Sequence, residues 1–174
     1  GNAARVMATF GPDEEILFVP DRHLGSHIAQ LLGRKYVLWP GYCPTHQIVT
    51  VAGIAAARAA HPGAPVIVHP ECAADVRAAA DEALSTGGMC AYARTSDAKE
   101  IIVGTETGIL HRLRQENPDK TFYPVSERAV CPNMKKTTLE KVRDCLRDLA
   151  TRVVVPEEIA TPARRAVEAM LAIA

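Results

Sequence analysis

The sequence predicts an α/β fold made of pseudo-repeated, small three-layer αβα domains on short parallel sheets. Three observations carry this expectation. Brief apolar runs alternate with longer segments of helical period, the order of β-α-β units with right-handed crossovers. The runs are continuously apolar and mostly rich in Val and Ile, as strands covered on both faces should be. A strand, polar turn, helix, strand stretch also occurs twice and ends in Cys-Pro both times.

Five strands are expected: Ile16–Pro20, Tyr36–Trp39, Pro65–His69, Ile101–Gly104 and Thr121–Pro124. The helical period places Leu24–Leu32 between the first two. Ile48–Ala60, Ala-rich and stopped by His61-Pro62-Gly63, leads to the third strand. Ala73–Leu84 follows it, and Ile109–Glu116 joins the last two strands. Thr138–Leu149 and Pro156–Ile173 complete the chain. The last starts with proline in its first turn, followed by Glu157 and Glu158, a favoured helix start.

The first copy of the repeat is "EEILFVPDRHLGSHIAQLLGRKYVLWPGYCP", from Glu14. The second is "KEIIVGTETGILHRLRQENPDKTFYPVSERAVCP", from Lys99. A repeat this long reads as a duplicated small domain, against the alternative that β-α-β units resemble one another by chance. An extra unit, "APVIVHPEC…STGGM", lies ahead of the second copy but not the first. The chain is therefore expected to start inside a repeat, as a fragment of a longer protein.

Composition excludes several classes. Twenty basic and twenty acidic side chains cancel, so there is no electrostatic case for nucleic acid or an anionic membrane. No apolar run approaches the ~20 residues of a membrane-spanning helix, and "GNAARVMATF" lacks a signal-peptide layout. A soluble, cytoplasmic protein is expected. The odd count of five cysteines argues against a disulfide framework.

Polar residues gather where the expected strands end: Asp21, Arg22 and His23; Cys43 and His46; His69 and Glu71; Thr105 and Glu106; Ser126 and Cys131. In open α/β sheets ligands bind at that edge. Cys43-Pro44 and Cys131-Pro132 are the sharpest pair, because thiolates hold iron–sulfur clusters and proline follows the ligand cysteine in some cluster runs. Two buried, inert thiols are the bland alternative. A rival set, Cys43, His46, His69 and Cys72, has ligand types that zinc accepts. His69 and Glu71 can bind a polar substrate and move protons, or simply begin a helix. "STGG" (Ser85 to Gly88) can cradle an anion, or stop a helix. Cys145 lies mid-helix on an apolar stripe with Val142, Leu146 and Leu149. Lysines after Cys131 can hold phosphate or line a solvated helix start.

The ordered set "GYCPTH", "HPEC", "STGGM", "VGTETGILHRL" and "CPNMKKTTLEKV" resembles the quinolinate synthase (quinolinate synthetase A) family. The likeness runs from about Glu15 to the C-terminus. It implies three quasi-equivalent α/β domains around a [4Fe-4S] cluster, with one cysteine from each and one iron left open. The implied reaction condenses iminoaspartate with dihydroxyacetone phosphate to quinolinate for NAD biosynthesis, with loss of phosphate and water. An L-aspartate oxidase or dehydrogenase would supply the iminoaspartate.

Carried over residue by residue, the resemblance makes Cys43 and Cys131 cluster ligands and His69, Pro70, Glu71 and Thr86 substrate-binding. Glu71 is the acid/base, with His69 beside it. Cys72, Cys90 and Cys145 become structural. The expected organisation is a partial second repeat over 1–46, a complete third over 47–132 and a C-terminal segment over 133–174, about half to two-thirds of the assembly. The first domain, the third cysteine and further substrate residues would precede Gly1, so the isolated chain is expected to be inactive. A non-catalytic zinc module and an inactive truncated gene product stay open beside the enzyme.

Overall fold

The apolar runs pair as parallel strands in two sheets. In the first, β1 (Leu17–Phe18) lies beside β2 (Val37–Leu38), with Leu17 opposite Val37. The second comprises β3 (Val66–Val68), β4 (Glu82–Ala83), β5 (Glu100–Gly104) and β6 (Thr121–Pro124), in spatial order β4-β3-β5-β6. Parallel neighbours need crossovers, and helices supply them. A computed structural model describes residues 2–173, in two compact units: 10–130, which contains both sheets, and 2–9 with 131–173.

The larger unit explains why its central strands are apolar throughout. Successive side chains of a strand point to opposite faces. Ile67, Ile101 and Val103 pack with Met89, Cys90, Leu110, Leu113 and Phe122 on one face. Val66, Val68 and Ile102 pack with Val49, Ile54, Cys72 and Val76 on the other. The first layer comes from α5 (Thr86–Thr95) and α6 (Ile109–Glu116), the second from α3 (Val51–Ala60) and α4 (Ala74–Ala79). This is the expected three-layer αβα arrangement. A fully buried side chain such as Leu113 contributes about 1.5–3 kcal/mol.

Caps set the helix starts. Asp21 accepts from Leu24 N at 2.8 Å to begin α2 (Arg22–Leu32), and Thr50 accepts from Gly53 N at 3.1 Å to begin α3. Such caps are worth about 1 kcal/mol each. The Thr50 cap shortens the expected helix over 48–60 to begin at Val51, and Ile48 instead ends a 3₁₀ turn, His46–Ile48.

Two expectations are corrected. The helix expected over 73–84 ends early. Asp81 accepts from Val66 N at 2.7 Å and from Arg58 at 3.0 Å, and the chain becomes edge strand β4, with Ile67 opposite Glu82. "STGG" starts a helix rather than stopping one, because Ser85 accepts from Gly88 N at 3.2 Å and caps α5.

The smaller unit contains α1 (Ala3–Ala8), α7 (Leu139–Asp148) and α8 (Glu157–Ala172). α1 was not expected. Along α7 the apolar stripe is exposed, with Leu146 at 72% and Leu149 just beyond it at 84%. Cys145 is exposed with it.

Gly104 ends β5 where the sheet has no room. A Cβ there would lie 2.7 Å from Val68 Cγ1 and 3.2 Å from Val49 Cγ1. Both neighbours are fully packed and β-branched, so they cannot swing aside. Gly104→Ala is expected to destabilise the chain by about 1–3 kcal/mol. A thermal melt should fall by several degrees, and an unchanged midpoint would refute the close packing.

Candidate functional site

At the C-terminal edge of the larger unit, the chain leaves each strand into a polar turn. β2 leads into Pro40-Gly41-Tyr42-Cys43, and Cys43 N donates to Asp21 Oδ2 at 2.9 Å. Asp21 thus holds two segments at once, since its other oxygen caps α2. Cys43 is partly exposed. The 3₁₀ turn that follows carries His46 back over the sheet, where it is 8% exposed.

His46 joins three strand ends. Its Nδ1 lies 3.0 Å from Glu71 Oε2, beyond β3. Its Nε2 lies 2.9 Å from Thr105 Oγ1, beyond β5. Its ring stacks on that of His69, with centroids 4.5 Å apart and planes 7° from parallel. Glu71 N donates to His69 Nδ1 at 3.3 Å, and Glu71 Oε2 is 4.0 Å from the same nitrogen.

These contacts fix protonation. The hydrogen bond from His46 holds the Glu71 carboxyl below its ordinary range despite partial burial, so the group is a carboxylate at neutral pH. A carboxylate only accepts, so His46 Nδ1 carries a proton. Burial, helped by nearby His46, pushes His69 down to about 4. His69 is therefore neutral. Its Nδ1 accepts from Glu71 N, which leaves the proton on Nε2.

The expected site residues divide as follows. Cys43, His69 and Glu71 meet at one sheet edge. Pro70 is buried between the last two, and its carbonyl accepts from Arg77 at 3.3 Å. Thr86 is the exposed first residue of α5, just past β4, on the same edge of the sheet. Cys131 is partly exposed in the other unit, where its carbonyl accepts from Lys135 N at 3.3 Å.

The zinc quartet of Cys43, His46, His69 and Cys72 is not assembled. Among the described residues, the group of three or more possible ligands is Cys43, His46 and Glu71, whose donor atoms lie within 4.8 Å of one another. Cys72 is fully buried beneath them and its thiol donates to the Gly104 carbonyl at 3.6 Å. Burial raises that thiol to about 12.

Sequence reasoning placed His46, Thr105 and Asp21 at strand ends but gave them no part in the chemistry of Glu71. The available signal was position: all three occupy the ligand edge, and each can hydrogen-bond across it.

Fold and site together define an α/β protein with thiol, imidazole and carboxylate groups at the edge of a parallel sheet. The sequence model of the family described as quinolinate synthetase A protein matches residues 1–172, and the chain belongs to that family. It is 51% identical over 170 residues to a quinolinate synthase of Dehalococcoides mccartyi, covering 98% of this chain and 56% of that protein. It is 48% identical over 172 residues to quinolinate synthases of Geobacter metallireducens and Methanoregula boonei, covering 99% of this chain and 56% and 57% of theirs. The chain thus spans little more than half the length of these relatives. No helix among the described residues is long and apolar enough to cross a membrane.

Burial predicts which thiols react. At pH 8 on the order of one Cys72 in ten thousand is ionised. Alkylation of the folded chain should label Cys43, Cys131 and Cys145 and spare Cys72 and Cys90, with labels mapped by peptide mass. Rapid labelling of Cys72 would mean that the sheet edge is open.

Proposed function

We propose that this chain forms part of a quinolinate synthase, which condenses iminoaspartate with dihydroxyacetone phosphate in NAD biosynthesis. The observation that carries the proposal is the Glu71 carboxylate, held between His46 and His69 beside the Cys43 thiol. The family resemblance and the 51% identity support the same reading.

Cys43 and Cys131 are the proposed ligands of a [4Fe-4S] cluster. The fit at Cys43 rests on its partly exposed thiol and its pinned backbone, in contrast to the fully buried Cys72. When bound, such a cluster with one open iron supplies a Lewis acid toward substrate oxygens.

The protein groups supply the proton chemistry. Glu71, ionised, takes a proton from the substrate carbon or nitrogen as the new bonds form. His46 Nδ1–H steadies its charge. His69 donates from Nε2 to a substrate oxygen, and its neutrality avoids a competing cation beside Glu71. The Thr86 hydroxyl is a further substrate contact. Iminoaspartate requires an enzyme that oxidises aspartate, so an L-aspartate oxidase or dehydrogenase is the proposed supplier and the cytoplasm the proposed location.

The test uses a polypeptide containing this chain and covering the full length of its relatives, purified without oxygen. About four irons per chain and quinolinate from the two substrates are expected. Cys43→Ala should lose the iron. Glu71→Gln should retain it and lower kcat by about 10²–10⁴-fold. Iron retained in Cys43→Ala, or full turnover in Glu71→Gln, would sink the assignment.

A further inference from the structure

We propose that Cys43 Sγ, His46 Nδ1 and a Glu71 carboxylate oxygen form a mononuclear site for a divalent cation of the zinc class, which uses His46 and Glu71 in place of Cys131 beside Cys43. Thiolate, imidazole and carboxylate are the ligand types zinc accepts, and three protein ligands leave a fourth position for water or another small ligand. Their donor atoms lie within 4.8 Å of one another. One ion, about 2.0–2.3 Å from each donor, can draw them together by side-chain adjustment.

Each ligand is already held from behind, which separates this group from a chance cluster. Asp21 fixes the Cys43 backbone at 2.9 Å. His69 accepts from Glu71 N and stacks on the His46 ring. Thr105 Oγ1 lies 2.9 Å from His46 Nε2, and both residues are 8% exposed. A ligand histidine commonly donates its other ring N–H to a fixed acceptor, which sets the tautomer. A threonine hydroxyl serves that purpose because it can donate or accept.

The proton count closes. Without metal, His46 carries its proton on Nδ1 toward Glu71. On binding, the ring proton moves to Nε2 and is donated to Thr105 Oγ1, freeing the Nδ1 lone pair. The Cys43 thiol loses its proton to solvent, so one proton is released per ion. No oxidant or further reactant is needed. The site would share Cys43 with the proposed cluster, so the two could not coexist; this exclusion rests on the proposed function, and the site itself does not.

Cobalt(II) titration of the present chain, prepared free of metal and with thiols reduced, reads the site directly. Cobalt is a spectroscopic stand-in for zinc and gives a thiolate charge-transfer band. One equivalent should bind with that band, and one equivalent of zinc should abolish it. The band should vanish in Cys43→Ser and persist in Cys131→Ser and in His69→Phe, which keeps a stacked ring. Glu71→Gln, nearly isosteric, should weaken binding. Thr105→Val should weaken it by about 10–100-fold, with Thr105→Ser restoring it. Circular dichroism checks that each variant is folded.

Absence of the band, or a band that survives Cys43→Ser, overturns the proposal. So does a band lost in Cys131→Ser, or unweakened binding in Glu71→Gln. In the longer polypeptide, zinc-loaded protein should refuse iron that the metal-free sample takes up. A metal-free sample that takes up no iron defeats the cluster reading and leaves the cobalt result intact.

Discussion

A carboxylate half removed from water costs free energy unless something donates to it. At Glu71 that donor is His46 Nδ1, 3.0 Å away. The rest of the site follows from this bond. It keeps Glu71 ionised, fixes the proton on His46 Nδ1, and thereby turns Nε2 toward Thr105. It also brings the His46 ring into the stack that desolvates His69 and keeps it neutral. One hydrogen bond thus coordinates the protonation of three groups.

That bond in turn needs strand ends in a fixed order. His69 and Glu71 follow β3, Thr105 follows β5, and the two strands are neighbours with Val68 opposite Gly104. Burial on both faces leaves the register little freedom, because a slip by one residue would turn every side chain to the other layer. Gly104 tightens the junction: its carbonyl accepts from His69 N at 3.1 Å and from the Cys72 thiol. Cys72 therefore belongs to the support beneath the site. Its burial is what makes the neighbouring residues well placed and what makes Cys72 itself a poor ligand.

The central strands were legible because covering both faces leaves unbroken Val and Ile runs such as "VIV" and "IIV". Edge strand β4 was not, since "EA" has no apolar pattern and forms because Asp81 binds the Val66 amide. The helix start at Ser85 was missed because glycine after a capping serine looks like a stop when the cap's direction is unknown. Cys43, His69 and Glu71 were legible as strand-end chemistry. The link through His46 was not, because its partners lie far off in sequence, and only the sheet order brings Glu71 and Thr105 to opposite sides of one ring.

The two Cys-Pro segments show how one local frame can carry different side chains. After Cys43-Pro44 comes a 3₁₀ turn, His46–Ile48, and then Thr50, whose hydroxyl caps the next helix. After Cys131-Pro132 comes a 3₁₀ turn, Met134–Lys136, and then Thr138, which caps its helix in the same way. The two segments thus share a 3₁₀ turn and a threonine cap at the same spacing from the cysteine. Within that frame the turn residues differ. In the first copy an imidazole occupies the turn and enters a buried proton network. In the second, Met134, Lys135 and Lys136 stand in the corresponding places and all are exposed. A frame that only had to place a thiol would not require this difference. The segment after Cys43 therefore carries the imidazole that bridges Glu71 and Thr105, whereas the turn after Cys131 presents exposed lysines.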